Sequence, residues 1–434
     1  MILLEKCRDC GIVDSFSVLT ARAPRSSCKN LEVGTMPINK LITMLGTVGY
    51  DLATYHLAEK AEDVETRFFS VAVTQWFKPE AVYVLLTDQA RNHENWRCCR
   101  EELEQRLPAK SIHEVLIPAG KSEKELWQIF EAIEGTMSPG DTIIFDVTHG
   151  FRSLPILSLL AIAYLRQVKG VKVERVVYGA YEAKDEQKVV PVFDLTPFVG
   201  LLDWLTAAKI FMSTGDGREL AGLMESVQNQ AFRSSAPNPP KQLKSLARWV
   251  HEVSQNLLLN RASQLAHSVQ ELQEQLSQPS LKNEVRKWLP PLVPLFSQIQ
   301  QQYAPFAQDD LHTQLKVIEW YATHGHLVQA YTLAREWLVN YELRRQGKWD
   351  ARADRNTRES VERDLHQAAM STRAGDSSHN ADRIAKLWDE LTDYRNDIAH
   401  CGFRESPIPA ATLRDKLGRI IEQLKSLLDT EVTS

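Results

Sequence analysis

Thr142-Ile143-Ile144-Phe145-Asp146-Val147-Thr148 runs straight into His149-Gly150-Phe151-Arg152 and then into the apolar helical pattern of Leu154–Val168. A short β-branched run that ends in a small, polar turn and reopens as a helix is one half of a strand–helix–strand unit. Similar apolar runs occur at Ile38–Leu45, Phe68–Thr74, Ala81–Thr87, Ile112–Ile117 and Val171–Tyr178. Helical patterns at Tyr50–Glu62, Trp96–Arg106 and Glu123–Ile133 lie between them. Strands buried on both faces and separated by helices predict a parallel, doubly wound α/β sheet over residues 36–200. Ligands in such sheets collect at the carboxyl ends of the strands. Three small-residue turns fall there: Gly46-Thr47-Val48-Gly49-Tyr50, Thr87-Asp88-Gln89-Ala90 and Thr148-His149-Gly150-Phe151-Arg152.

The chemistry of the last turn suits a nucleotide. Gly150 lets the backbone approach a ligand, and the N–H groups that follow point outward at a helix start. Thr148 can hydrogen-bond a phosphate or ribose, His149 can stack on or bond a base, and Arg152 can pair with a phosphate. An ordinary strand-to-helix turn with Asp146 as its cap accounts for the same residues. G-x-G-x-x-G and Gly-Lys-Ser/Thr are both absent, which disfavours dinucleotide-dependent dehydrogenases and nucleoside triphosphatases.

After Pro197 the strand patterns stop. Leu201–Met212 reads as a helix, Ser213-Thr214-Gly215-Asp216-Gly217 as a turn or hinge, and the rest as almost entirely helical. Proline- and glycine-rich breaks at Ala236–Pro240, Leu289–Pro294 and Arg373–Ser378 divide it. The reading is a helical connector at about 201–300 and an all-α domain at about 301–434. Within the latter, Tyr394-Arg395-Asn396-Asp397-Ile398-Ala399-His400 lies on a helix that ends near Gly402. Asn396 and His400 are one turn apart on one face, and the long stem of Arg395 can swing to the same phosphate. A cation, an amide and an imidazole together can cleave RNA without a metal. A capped, solvated helix end accounts for the stretch equally well, since the dipole favours a cation there. The same loose spacing recurs at Arg106/His113, Arg261/His267 and Arg373/His379, where proline or loop composition interrupts it or nothing else supports it. Upstream, Leu343–Lys348 with Arg352, Arg355, Arg358 and Arg363 concentrates cations, either as a solvated face with acidic partners or facing RNA.

Composition sets the remaining bounds. In 434 residues, 43% hydrophobic and 25% charged, there is room for two or three ordinary globular domains. A formal net charge of -5 argues against a general nucleic-acid coat protein but leaves room for a local basic groove. Six cysteines imply no disulfide framework; Cys7, Cys10 and Cys28 begin a metal spacing without a clear fourth ligand. His312, His324 and His326 read as surface and loop histidines, so no metal and no resident cofactor are expected. No apolar run reaches the ~20 residues of a membrane span, and a cytoplasmic location is the natural reading. Residues 1–35 read as a poorly ordered extension or an overlong start.

Leu45-Gly46-Thr47, Val84-Leu85-Leu86-Thr87 and Asp146–Arg152 resemble the CARF domain of CRISPR-associated proteins, the last block most specifically. Arg395-Asn396-x-x-x-His400 resembles the motif of HEPN ribonucleases, and Ala330–Tyr341, with Glu336 and Trp337, resembles an earlier helix of that domain. The order matches the accessory ribonucleases of type III CRISPR systems over roughly residues 36–434. The resemblance implies a Rossmann-like CARF domain that binds a cyclic oligoadenylate through Gly46, Thr47, Val48, Thr87, Asp88, Thr148, His149, Gly150, Phe151 and Arg152. Cyclic tetra-adenylate is the favoured ring. It further implies a homodimer, or a higher even oligomer, whose paired HEPN domains cut single-stranded RNA with Arg395, Asn396 and His400. A non-catalytic sensor and a ligand-independent HEPN toxin are the alternatives.

Overall fold

The computed structural model describes residues 39–149, 154–374 and 379–432. The chain divides into two compact units, one ending at Leu195 and the other beginning at Thr196.

The first unit is built on one eight-stranded sheet of order β3-β2-β8-β7-β6-β1-β4-β5. The strands are β1 (Asn39–Met44), β2 (Ala53–His56), β3 (Val64–Thr66), β4 (Ala81–Leu86), β5 (Ile112–Leu116), β6 (Thr142–Asp146), β7 (Lys172–Gly179) and β8 (Val189–Asp194). Its helices are α1 (Phe69–Phe77), α2 (Asp88–Arg91), α3 (Glu94–Glu104), α4 (Glu123–Gly135) and α5 (Leu154–Lys169). The run β5-β4-β1-β6-β7 is parallel throughout, with Leu41 opposite Val82 on one side and Ile144 on the other. Leu41, Val82 and Ile144 are fully buried, as strands covered on both faces require. The expected α/β architecture is therefore present. It is mixed rather than wholly parallel, because β8 runs antiparallel to β7 and β3 antiparallel to β2.

Two local expectations are corrected. Tyr50–Glu62 is no helix: Ala53, Tyr55 and Leu57 alternate inward around exposed His56, which is the two-residue period of β2. Phe68–Thr74 is no strand: it opens α1, in which Phe69 through Thr74 are all buried. A β-branched run sealed on every side carries no period that separates helix from strand.

In the second unit the helices are α6 (Thr196–Thr214), α7 (Arg218–Arg233), α8 (Leu243–Leu258), α9 (Ala262–Ser277), α10 (Pro279–Trp288), α11 (Val293–Tyr303), α12 (Leu311–Thr323), α13 (Leu327–Arg345), α14 (Arg355–Arg373), α15 (His379–Ala399) and α16 (Ala410–Val432). One hydrophobic core runs from Trp204 to Leu428, so the expected connector and C-terminal helices share a single interior. Tyr303 on α11 donates its hydroxyl to Phe211 O (2.6 Å), and Tyr321 on α12 to Leu257 O (2.6 Å). The turn at Ser213–Gly217 is a packed corner. Gly217 N–H donates to buried Ser254 Oγ, and a Cβ at Gly217 would stand 2.8 Å from Val250 Cγ1. Among the described residues, no helix is long and apolar enough to cross a membrane.

Candidate functional site

In the first unit, β6, β1 and β4 are neighbouring parallel strands, so the turns that follow them share one edge of the sheet. Gly46–Val48 leaves β1 in the middle, Thr148 and His149 leave β6 on one side, and Thr87 and Asp88 leave β4 on the other. The strand order reverses at β1, which makes this edge a topological switch point.

Asp146 organises the β6 side. It is fully buried; Thr43 Oγ1 donates to its Oδ2 (2.7 Å) and the Thr148 amide to its Oδ1 (2.8 Å). Burial outweighs those bonds and pushes the carboxyl up to about 6. Thr148 is itself engaged, since its Oγ1 accepts from Gly179 N–H at 2.8 Å. Its side chain therefore fastens the turn to β7. His149 packs its ring 4.5 Å from that of Tyr50, and its Nε2 is buried with no hydrogen-bond partner. Burial pulls this imidazole down to about 4, so it is neutral at physiological pH. Gly150, Phe151 and Arg152 lie outside the described residues.

The β1 side is held from two directions. Gly46 N–H donates to Tyr50 Oη (2.9 Å), while Asn95 on α3 donates Nδ2 to both Gly46 O (3.1 Å) and Val48 O (2.8 Å). Thr47 and Val48 are left exposed on a fastened loop. Thr87 caps α2 by accepting from Ala90 N–H, and Asp88 is exposed in its first turn. Asn95 and Thr43 had no signal in the sequence. Asn95 reaches back 49 residues to Gly46, and Thr43 spans 103 to Asp146.

In the second unit, Arg395 and Asn396 sit half-buried on α15, and His400 is exposed one residue beyond its last turn. The helix ends at Ala399, near Gly402 as its sequence leads one to expect. His400 N–H still bonds Asn396 O (2.9 Å), and Gly402, at φ +70°, donates to Asp397 O (2.8 Å). That left-handed glycine closes the helix end. Arg395 is pulled below its ordinary value by burial and then by the neighbouring Arg335 guanidinium.

Arg335 belongs to a network on α13 and α14. It bonds Glu336 (2.7 Å) and Glu362 (2.8 Å) and lies over the Trp388 ring at 4.4 Å. Arg358 bonds Glu336 (2.6 Å) and Asn340 (2.7 Å). Beside this network is an open cavity of about 650 Å³, lined among others by Arg335, Glu362, Arg363, His366 and Thr392. Most of the cation run before α15 is paired: Arg345 with Glu342, Arg352 with Asp309, Arg355 with Glu359. Trp337 is buried and donates to Leu311 O, while Glu336 serves the arginine network. His324 and His326 stack on Trp320 at 4.2 and 5.5 Å. Among the described residues no cluster of His, Cys, Asp and Glu could hold a metal; Cys7, Cys10 and Cys28 lie outside them.

Two families match this chain. The CARF domain of the CRISPR system endoribonuclease Csx1 matches residues 40–184, and the second domain of the CRISPR-associated protein MJ1674 matches residues 200–305. The CRISPR-associated protein MJ1674 of Methanocaldococcus jannaschii is 22% identical over 208 residues, which is 47% of this chain and 30% of that protein. The chain thus spans under a third of the length of this curated relative. The helix that carries Arg395 and Asn396 lies beyond both family matches.

Proposed function

We propose, for a chain that is a CRISPR-associated protein containing a CARF domain, that it is a metal-independent endoribonuclease of type III CRISPR defence, switched on by a cyclic oligoadenylate. Arg395 carries this reading: a half-buried guanidinium next to Arg335, on the same turn as Asn396, with exposed His400 at the helix end. The RNA 2′-hydroxyl attacks its own phosphate, leaving a 2′,3′-cyclic phosphate and a 5′-hydroxyl. Arg395 neutralises charge on the phosphorane-like transition state, His400 moves the proton and Asn396 orients the scissile group. One arginine supplies little charge for that step, and a two-fold pairing of chains brings a second set.

The sensor is the carboxyl edge of the sheet. Fastened, exposed Thr47 and Val48 offer backbone and side-chain contacts to the ring, and Thr87 and Asp88 flank them. Neutral, unpartnered His149 Nε2 stands ready for an adenine edge once the turn opens. Thr148 acts through the turn it fastens.

Product chemistry tests the reaction. With cyclic tetra-adenylate present and EDTA in excess, a single-stranded RNA is expected to yield 2′,3′-cyclic phosphate ends. Placing 2′-deoxyribose at the cut position should stop cleavage there. His400→Ala and Arg395→Ala should each lower kcat by roughly 100-fold or more while leaving the ring bound. Activity lost to EDTA, or cleavage 3′ of a deoxyribose, would contradict the scheme.

A further inference from the structure

Phe403, three residues past His400, is 90% exposed, and no other large apolar side chain among the described residues exceeds 66%. The backbone that presents it is pinned on both sides. Before it, Cys401 and Gly402 N–H groups close onto Ile398 O and Asp397 O, and Phe403 N–H itself bonds His400 O at 3.0 Å. After it, Arg404 pairs with Asp393 (2.9 Å), and Ile408 N–H donates to the buried Asp397 carboxylate (3.3 Å). The same carboxylate-bearing residue therefore anchors the segment at both ends. Among the described residues beyond Met370 no other large apolar side chain is exposed, and Arg404, Glu405, Ser406 and Pro407, which follow Phe403, are all exposed.

A protein interface centres on a contiguous apolar patch. A single exposed aromatic ring suits a single flat partner, and single-stranded RNA is recognised by unstacked bases laid on aromatic faces. Three residues of chain span at most about 10 Å, so the ring stands within reach of a nucleotide adjoining the phosphate that His400 serves. We infer that Phe403 is a base-stacking residue, holding the nucleobase on one flank of the scissile phosphate. This rests on the ribonuclease reading above and adds to it the part of the substrate beyond the phosphate.

The test uses the full chain activated with cyclic tetra- or hexa-adenylate. The substrate is an otherwise 2′-O-methylated oligonucleotide with one ribose, so that a single bond can be cut. It is made with natural bases, or with an abasic unit on either flank. In the wild type, removing the base on one flank should lower kcat/KM by roughly 5- to 150-fold. Phe403→Ala should show a similar loss on the natural substrate and no further loss on the abasic one. Phe403→Trp should restore both the rate and the sensitivity to the abasic unit. Equal abasic penalties in wild type and Phe403→Ala, or an unchanged rate in Phe403→Ala, would overturn the inference alone. A shift of Phe403→Ala to a smaller oligomer in sedimentation would assign the ring to a protein contact and overturn it too. A wild type that cuts no RNA under any of these conditions would remove the ribonuclease reading, and this inference with it.

Discussion

Asp146 and His149 are three residues apart, and burial pushes their acidities in opposite directions. The Asp146 carboxyl is raised from about 4 to about 6. Its contribution to stability is full below pH 4 and is lost as pH rises through 6, on the order of 3 kcal/mol. His149 is lowered from 6.5 to about 4, so its contribution is present above pH 6.5 and lost as pH falls through 4. Over one window the two oppose each other. Asp146→Asn removes one of them and is expected to make the first unit lose stability more steeply than wild type between pH 6.5 and 4. His149→Gln should reverse the slope, with stability rising as pH falls. Thermal unfolding midpoints across that range check both. Parallel slopes in all three proteins would contradict the burial assigned to this turn. At pH 7 the turn consequently carries a buried carboxyl group three residues from a neutral imidazole.

Among the elements, the corner between α6 and α7 makes the sharpest claim. A methyl at Gly217 would meet Val250 Cγ1 at 2.8 Å and Val250 O at 3.1 Å, whereas one at Gly222, exposed on α7, meets nothing within 4 Å. Gly217→Ala should therefore destabilise the helical unit by about 1–3 kcal/mol. Gly222→Ala should be neutral or stabilising by up to about 1 kcal/mol, since glycine is a poor interior helix residue. Calorimetry of the two variants decides; a harmless Gly217→Ala would mean that the corner is loose after all. What could be read from residue patterns follows the same physics. β1, β4, β5 and β6 were legible because a sealed apolar run with turn residues behind it has few other uses. The end of α15 was legible because Asn396 and His400 fall one turn apart just ahead of Gly402. β2 and α1 were misread: Ala53-Thr54-Tyr55-His56 is too short to display its alternation, and α1 is buried all round. The Asn95 and Thr43 contacts were invisible because the sheet alone brings such distant residues together.

In the chain as a whole, the proposed ligand-binding edge lies in the unit ending at Leu195, and the proposed RNA-cleaving set in the unit beginning at Thr196. A useful switch needs the two coupled: a ring that binds one conformation of the first unit better than another can shift the second only by that difference in affinity. The proposed pairing of two chains about a two-fold axis suits both ends, since an even-numbered ring carries the same symmetry and two Arg395–His400 sets would supply the charge for one phosphate. The helical corner at Gly217 is packed too tightly to act as a free hinge.

Occupancy of the first unit by a ring is proposed to turn on chemistry at Arg395 and His400. Cleavage of a fluorescent single-stranded RNA in EDTA, with and without cyclic tetra- or hexa-adenylate, by wild type and His400→Ala decides this. Ring binding is measured in parallel by calorimetry. One ring is expected to bind both proteins equally and to accelerate cleavage by the wild type alone. A ring that binds without activating, or cleavage that is independent of any ring or survives in His400→Ala, would contradict it.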